Sequence, residues 1–170
     1  MTTLNTLKNI PTAQNPHTHS YILKVTINCS IGNKSNNYNY IQQLQYELTR
    51  ITLQKPILIK TKQSIANFNI RKNTINSLKV TLRHKQALNF INKFINIAVP
   101  RIKDFRGFKT TTVDHAGNFN FGIKDYSIFP EIFLNPKTQI LTGLNINITI
   151  KTPCRTGSFK LLTQLGFPFI

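Results

Sequence analysis

The segment VPRIKDFRGF, residues 99 to 108, sets Arg101, Lys103 and Arg106 among Phe105, Gly107 and Phe108, with Asp104 its only acid. Lys109 extends the cationic run. Guanidinium groups form paired, charge-assisted hydrogen bonds to phosphate and stack on flat rings, so this combination suits a phosphate-bearing polymer. Phe105 and Phe108 are expected to pin the loop to a core, Gly107 to permit a tight turn, and Asp104 to orient an arginine.

Other chemistries have little material. The acids are Glu47, Asp104, Asp114, Asp125 and Glu131, with no close pair for acid–base work. His17, His19, His84 and His115 are scattered. The HTH at 17 to 19 has a metal-compatible spacing but reads better as a polar patch. Cys29 and Cys154 are too few and too far apart for a metal site and read as ordinary thiols. No phosphate loop, zinc spacing or nucleophile elbow occurs. The chain is therefore read as a non-enzyme with no catalytic residue, metal or cofactor.

The charge balance points the same way as the loop. There are 22 Lys and Arg against 5 Asp and Glu, a net charge of +17. Such a chain repels itself and calls for a polyanion, with nucleic acid first and an anionic membrane surface second. No apolar run approaches the roughly 20 residues of a membrane helix, so membrane insertion is not expected. A hydrophobic content of 40% fits a folded domain. Residues 1–19 read as a polar lead, neither secretory signal nor transit peptide, and 20–170 as a single domain. The abundance of Ile, Asn and Lys suggests an AT-rich genome.

The elements that must position these cations follow from periodicity. Four segments alternate with period two. Leu23, Val25, Ile27 and Cys29 oppose Lys24, Thr26 and Asn28. Ile57 and Ile59 oppose Leu58, Lys60 and Lys62, with Ser64 just beyond. Leu78, Val80 and Leu82 oppose Lys79, Thr81 and Arg83. Leu144, Ile146, Ile148 and Ile150 oppose Asn145, Asn147, Thr149 and Lys151. Helical spacing links Tyr38, Ile41, Leu44, Leu48 and Ile51, then Ala87, Leu88, Ile91, Phe94, Ile95 and Ala98 up to Pro100. A shorter stripe, Leu161, Leu162 and Leu165, stops at Gly166. The implied fold is α+β: a mixed or antiparallel sheet with helices packed on one face and a basic, polar opposite face. That face carries no carboxylate from any of the four strands, whereas a merely solvated face mixes both signs. Lacking exposed rings, it suits the backbone and shape of folded RNA better than stacked single-strand bases.

AVPRIKDFRGF followed by GNFNFGIKDYSIFPEI closely resembles the large-subunit ribosomal protein five family, the 5S-rRNA binders of the central protuberance. The resemblance extends upstream through QKPILIKTKQSIANFNIRKN and SLKVTLR, and downstream through LTGLNINITIKT to LGFPF, covering roughly residues 20 to 170. It implies a structural constituent of the large subunit without catalysis. It implies that the sheet face and nearby loops, with Lys24, Thr26, Asn28, Lys60, Lys62, Ser64, Lys79, Thr81, Arg83, Arg101, Lys103, Arg106 and Lys109, bind 5S rRNA, if this ribosome has one, and large-subunit rRNA. It implies that the loop NIRKNTINS, with Arg71, Lys72 and Asn73 at its tip, reaches P-site tRNA. His115, Asn118 and Phe121 would bridge to a small-subunit head protein, among other central-protuberance neighbours.

The sequence departs from the family in places. The family's N-terminal helix is not recognisable in residues 1 to 19. The bacterial-type turn FDGRGNY is VDHAGNF here, so its arginine is Ala116. TPCRTGSFKLL is shorter and less acidic than the usual start of the last helix. The bacterial-type core and AT-rich bias point to a mitochondrial ribosome in the matrix, possibly organelle-encoded, with a plastid or bacterial cytoplasm as the alternative. The runner-up function is a free RNA-binding chaperone or RNA-processing factor outside the ribosome.

Overall fold

The computed structural model describes residues 19–32, 37–133 and 142–170, so the polar lead lies outside it except for His19. In chain order the elements are β1 (Tyr21–Ser30), α1 (Tyr38–Thr52), β2 (Ile57–Lys60), β3 (Ile75–Leu82), α2 (His84–Lys93), β4 (Phe119–Ile123), α3 (Pro130–Phe133), β5 (Leu144–Lys151) and α4 (Arg155–Gln164). The strands form one sheet in the order β2-β3-β1-β5-β4, and every neighbouring pair is antiparallel.

Alternation buries one side of the sheet. On the core face Val25, Ile27 and Cys29 of β1 meet Leu82, Val80 and Leu78 of β3 on one side and Ile148, Ile146 and Leu144 of β5 on the other. Against it α1 lays Ile41, Leu44, Leu48 and Ile51, all buried, while Tyr38 at its start stays exposed. The Asn37 side chain caps α1 by accepting from the Tyr40 amide at 3.3 Å. Its far end closes through Leu53, which is left-handed at φ 57 and donates to the Thr49 carbonyl at 2.8 Å. α2 buries Ala87, Phe90 and Ile91, then widens into a π-turn over Phe94–Ala98. A 3-10 turn over Val99–Arg101 contains Pro100 and ends the helical path.

Two features depart from the periodicity. β2 has the opposite phase: Ile57 pairs with Lys79 and Ile59 with Ser77, so both isoleucines share the polar face, and Leu58 sits beside Leu78 on the core side. The triplet Ile-Leu-Ile is apolar at every position, so alternation cannot fix its phase. An edge strand with all four residues exposed imposes little burial to correct it. A fifth strand, β4, completes the sheet with Phe119, Phe121 and Ile123 toward the core and Asn120 and Gly122 toward the polar face.

Candidate nucleic-acid interface

The registers assemble the polar face row by row. One row runs across all five strands as Ile57, Lys79, Asn28, Asn145 and Gly122. The next runs Thr81, Thr26, Asn147 and Asn120. Lys24 lies opposite Thr149, and Arg83 is exposed one residue beyond β3. Of the sheet-face residues expected on β1 and β3, pairing brings Lys24, Thr26, Asn28, Lys79 and Thr81 together directly and leaves Arg83 at the margin. None of these positions is acidic, so nothing on the face repels a phosphate.

Four of the five acids are used elsewhere, and Asp104 lies exposed within the 99–108 loop. Glu47 is buried beneath α1, and Glu131 pairs with Lys93 at 2.7 Å. Asp125 caps its own turn through the Ser127 amide at 2.9 Å. Asp114 accepts from the Asn118 amide at 2.7 Å and from the Asn118 side chain at 3.1 Å. Burial pushes the Asp114 carboxyl up, but the Asn118 hydrogen bonds, with the Ala116 amide and the nearby His115, outweigh it and hold the group below its ordinary range.

Lys60 and Lys62 are exposed but stand apart from that face. Lys60 follows a register shift at the end of the edge strand, and Lys62 lies in the excursion between β2 and β3. The geometry of that excursion corrects the expected tip. Thr61 closes its base, donating its amide to the Thr74 carbonyl at 2.9 Å and accepting from the Asn73 amide at 3.0 Å. The Thr61 hydroxyl donates to the Arg71 carbonyl at 2.5 Å, and the Ser64 hydroxyl accepts from the Lys72 amide at 2.9 Å. Arg71, Lys72 and Asn73 therefore form the base. The tip is a 3-10 turn over Ala66–Phe68 above the Ile65–Ile70 bridge, with Phe68 exposed. The extra bridge inside the loop is what moves the tip toward its N-terminal half.

The segment from 99 to 108 turns sharply. Asp104 is left-handed at φ 56, and Gly107 has φ 137. Arg101, Lys103 and Arg106 are exposed, as is Lys109. Phe108 is fully buried in a cluster of rings, 4.8 Å from Phe121 and 5.1 Å from Phe119 in edge-on contact. Phe105 is half-buried and packs edge-on against Phe108 at 4.9 Å. The C-terminal stretch locks the turn: the Phe108 amide donates to the Pro168 carbonyl at 2.7 Å, and the Ile170 amide to the Phe108 carbonyl at 2.9 Å. The cations thus stand on a loop anchored by its rings.

Of the three residues expected at a protein bridge, His115 is exposed on the turn where Gly117 has φ 83. Asn118 is committed to that turn, and its side-chain oxygen also accepts from the Ile150 amide at 3.3 Å. Phe121 packs into the ring cluster, 6.2 Å from Phe94. Asn120 also lies on the polar face, where its side-chain oxygen accepts from Asn147 at 2.7 Å. The Phe-Asn-Phe-Gly-Ile alternation of β4 is the sequence signal for that position. Among the described residues no group of His, Cys, Asp and Glu could hold a metal ion, and no helix is long and apolar enough to cross a membrane.

Two family models match the chain. One described as ribosomal protein L5 matches residues 15–71, and one described as the C-terminus of the same ribosomal family matches residues 76–169. The large ribosomal subunit protein uL5c of Gracilaria tenuistipitata var. liui is 40% identical over 157 residues, covering 92% of this chain and 87% of that protein. The large ribosomal subunit protein uL5 of Thermotoga maritima is 40% identical over 157 residues, covering 92% and 84%. The uL5c of Chara vulgaris is 39% identical over 155 residues, covering 91% and 82%.

Proposed function

Because the chain belongs to the ribosomal protein L5 family, we propose that its polar sheet face and its cationic 99–109 loop form one surface for 5S rRNA and the adjoining large-subunit rRNA. The chain is a structural constituent of the large ribosomal subunit with rRNA partners, and it is not an enzyme. The observation that supports this surface is the row of cross-strand neighbours without a carboxylate. Lys24, Thr26, Asn28, Lys79 and Thr81 lie side by side there, with Arg83 at the margin.

Arg101, Lys103, Arg106 and Lys109 extend the grip to a second strand of RNA, and Lys60, Lys62 and Ser64 flank it. The β2–β3 excursion reaches P-site tRNA with its apolar tip foremost and Arg71, Lys72 and Asn73 behind. His115 is the exposed contact of a bridge to a small-subunit head protein, with Asn118 and Phe121 holding the surface from beneath. The AT-rich composition supports a mitochondrial ribosome as the setting.

The test is to purify the native large subunit through a moderate salt wash and sequence the RNA crosslinked to this chain. Crosslinks from Lys24 and Lys79 to 5S rRNA are expected. A chain that washes off and crosslinks to unrelated RNAs would instead be a free RNA chaperone or processing factor. The rRNA sequence identifies the compartment in the same measurement.

A further inference from the structure

The polar face is not uniform. Its charge lies on β1 and β3, where Lys24 and Lys79 stand, and at the far end of β5, where Lys151 lies opposite Tyr21. Toward β5 and β4 the same rows carry Asn145, Asn147, Asn120 and the bare backbone of Gly122. Asn145 and Asn120 are exposed and Asn147 is half-buried. The Asn147 amide donates to the Asn120 carbonyl oxygen at 2.7 Å, which fixes both side chains. That bond leaves the Asn120 amide as a donor and the Asn147 oxygen as an acceptor. Asn145 adds a full amide beside Gly122, where no side chain stands between it and a ligand.

Phosphate oxygens only accept hydrogen bonds, so a phosphate-binding patch has no use for fixed amide oxygens. Amides also exert no long-range Coulomb attraction. Their energy is short-range and directional, so it discriminates between ligands more than it captures them. The parts of an RNA that both donate and accept are its base edges and its 2′-hydroxyls. β5 and β4 lie about 5 and about 10 Å from β1, and about 10 and about 14 Å from β3, so reading sits beside gripping on one surface.

We propose that Asn120, Asn145 and Asn147 form a recognition patch for a donor-and-acceptor edge of the bound RNA, while Lys24 and Lys79 hold its phosphates. This rests on the reading of the sheet face as the rRNA surface.

The experiment uses the full chain and three oligomers of equal length. One is the rRNA fragment that the wild-type chain protects in its own large subunit, one is a scrambled duplex RNA, and one is the DNA copy of the fragment. Affinities are measured over a range of salt concentrations. For Lys24→Gln with Lys79→Gln, the salt slope should fall by about 2 for all three ligands. For Asn120→Ala, Asn145→Ala and Asn147→Ala combined, the slope should stay unchanged while affinity for the rRNA fragment drops about tenfold or more. Loss of preference over the scrambled RNA marks a base edge as the target, and loss of preference over DNA marks a 2′-hydroxyl. The proposal is overturned if the triple variant keeps both preferences, whether its affinities are unchanged or all fall together. An unchanged slope in the lysine pair would refute the sheet-face reading itself, which the asparagine arm does not measure. Melting curves check folding. If the triple variant is unfolded, Asn145→Ala alone is read in the same way, since its amide is not part of the Asn147–Asn120 bond.

Discussion

The phenol of Tyr126 donates a hydrogen bond to the carboxylate of Glu47, both only 2% exposed. The partners are 79 residues apart in sequence, and the bond ties α1 to the turn that precedes α3. Gln43 on the same helix donates to the other carboxylate oxygen at 3.4 Å. Tyr126→Phe leaves that buried carboxylate with one donor fewer. We expect a loss of roughly 1.5–3 kcal/mol, seen as a melting temperature several degrees lower. Glu47→Gln keeps an acceptor and should cost less. Equal melting of Tyr126→Phe and the wild type would show that the bond contributes nothing net.

The same pocket makes the fold sensitive to alkali. Burial, and then the nearby Glu47 charge, push the Cys29 thiol up to about 12 from an ordinary 9.0. Burial and the hydrogen bond to Glu47 push the Tyr126 phenol up as well. Both groups stay protonated in the folded chain after the unfolded chain has begun to release its protons. Their contribution is complete below about pH 9 and declines as pH rises above it, by up to about 1.4 kcal/mol per pH unit for each group. Urea midpoints measured from pH 7 to pH 10.5 should fall above pH 9. Cys29→Ala should make the first part of that fall shallower, and an identical slope in the variant would exclude the thiol as its source.

The cationic loop separates stability from binding. Phe108→Ala should cost about 3–5 kcal/mol, because the ring is fully buried. Phe105→Ala should cost less, since that ring is only half-buried. Gly107→Ala should also destabilise, by roughly 1–3 kcal/mol, because a side chain at φ 137 is strained and its Cβ would stand 2.5 Å from the Ile170 side chain. Arg101→Ala with Arg106→Ala should melt close to the wild type, since exposed charges contribute little to folding. That double variant should be under-represented in purified large subunits. If it melted many degrees lower yet assembled fully, the arginines would be holding the fold and not the RNA.

The excursion between β2 and β3 makes a positional prediction. A photo-crosslinker at position 68, on the tip, should capture tRNA in translating ribosomes more efficiently than one at position 72, near the base. The reverse order would mean that the excursion approaches its partner side-on.

What the sequence displayed was burial. Leu23, Val25, Ile27 and Cys29 alternate with Lys24, Thr26 and Asn28; the structure buries Val25, Ile27 and Cys29 and pairs the second set across the sheet, while Leu23 is exposed at the register shift between Ile22 and Lys24. The α1 stripe and the Ala87, Ile91, Phe94, Ala98 stripe were legible for the same reason, one period and one core face. β2 was not, because three consecutive apolar residues carry no phase. Neither was the Glu47–Tyr126 bond. The helical period places residue 47 beside Leu44 and Leu48, but nothing local to either partner names the other. The tip of the β2–β3 excursion is not where its cations stand: Arg71 and Lys72 carry the charge, while the turn itself is made by backbone bonds from Ile65 to Ile70. Of the polar face, the lysines stood out by charge. The asparagines did not, since an amide acquires meaning only from the neighbour that a register supplies.

The central position of β1 also bears on how the chain is made. β1 is hydrogen-bonded to β3 on one side and to β5 on the other, with Tyr21 opposite Lys151. Translation adds about 5–20 residues per second, so the partner on the β5 side emerges roughly 6 to 25 seconds after β1 does. Until then the nascent β1, α1, β2 and β3 can close a three-stranded piece among themselves, leaving one long strand edge unpaired. Non-local pairing of this kind folds slowly and leaves such edges open to wrong partners. The newborn chain therefore passes through an interval in which a chaperone, or early docking on its rRNA, has the most to protect.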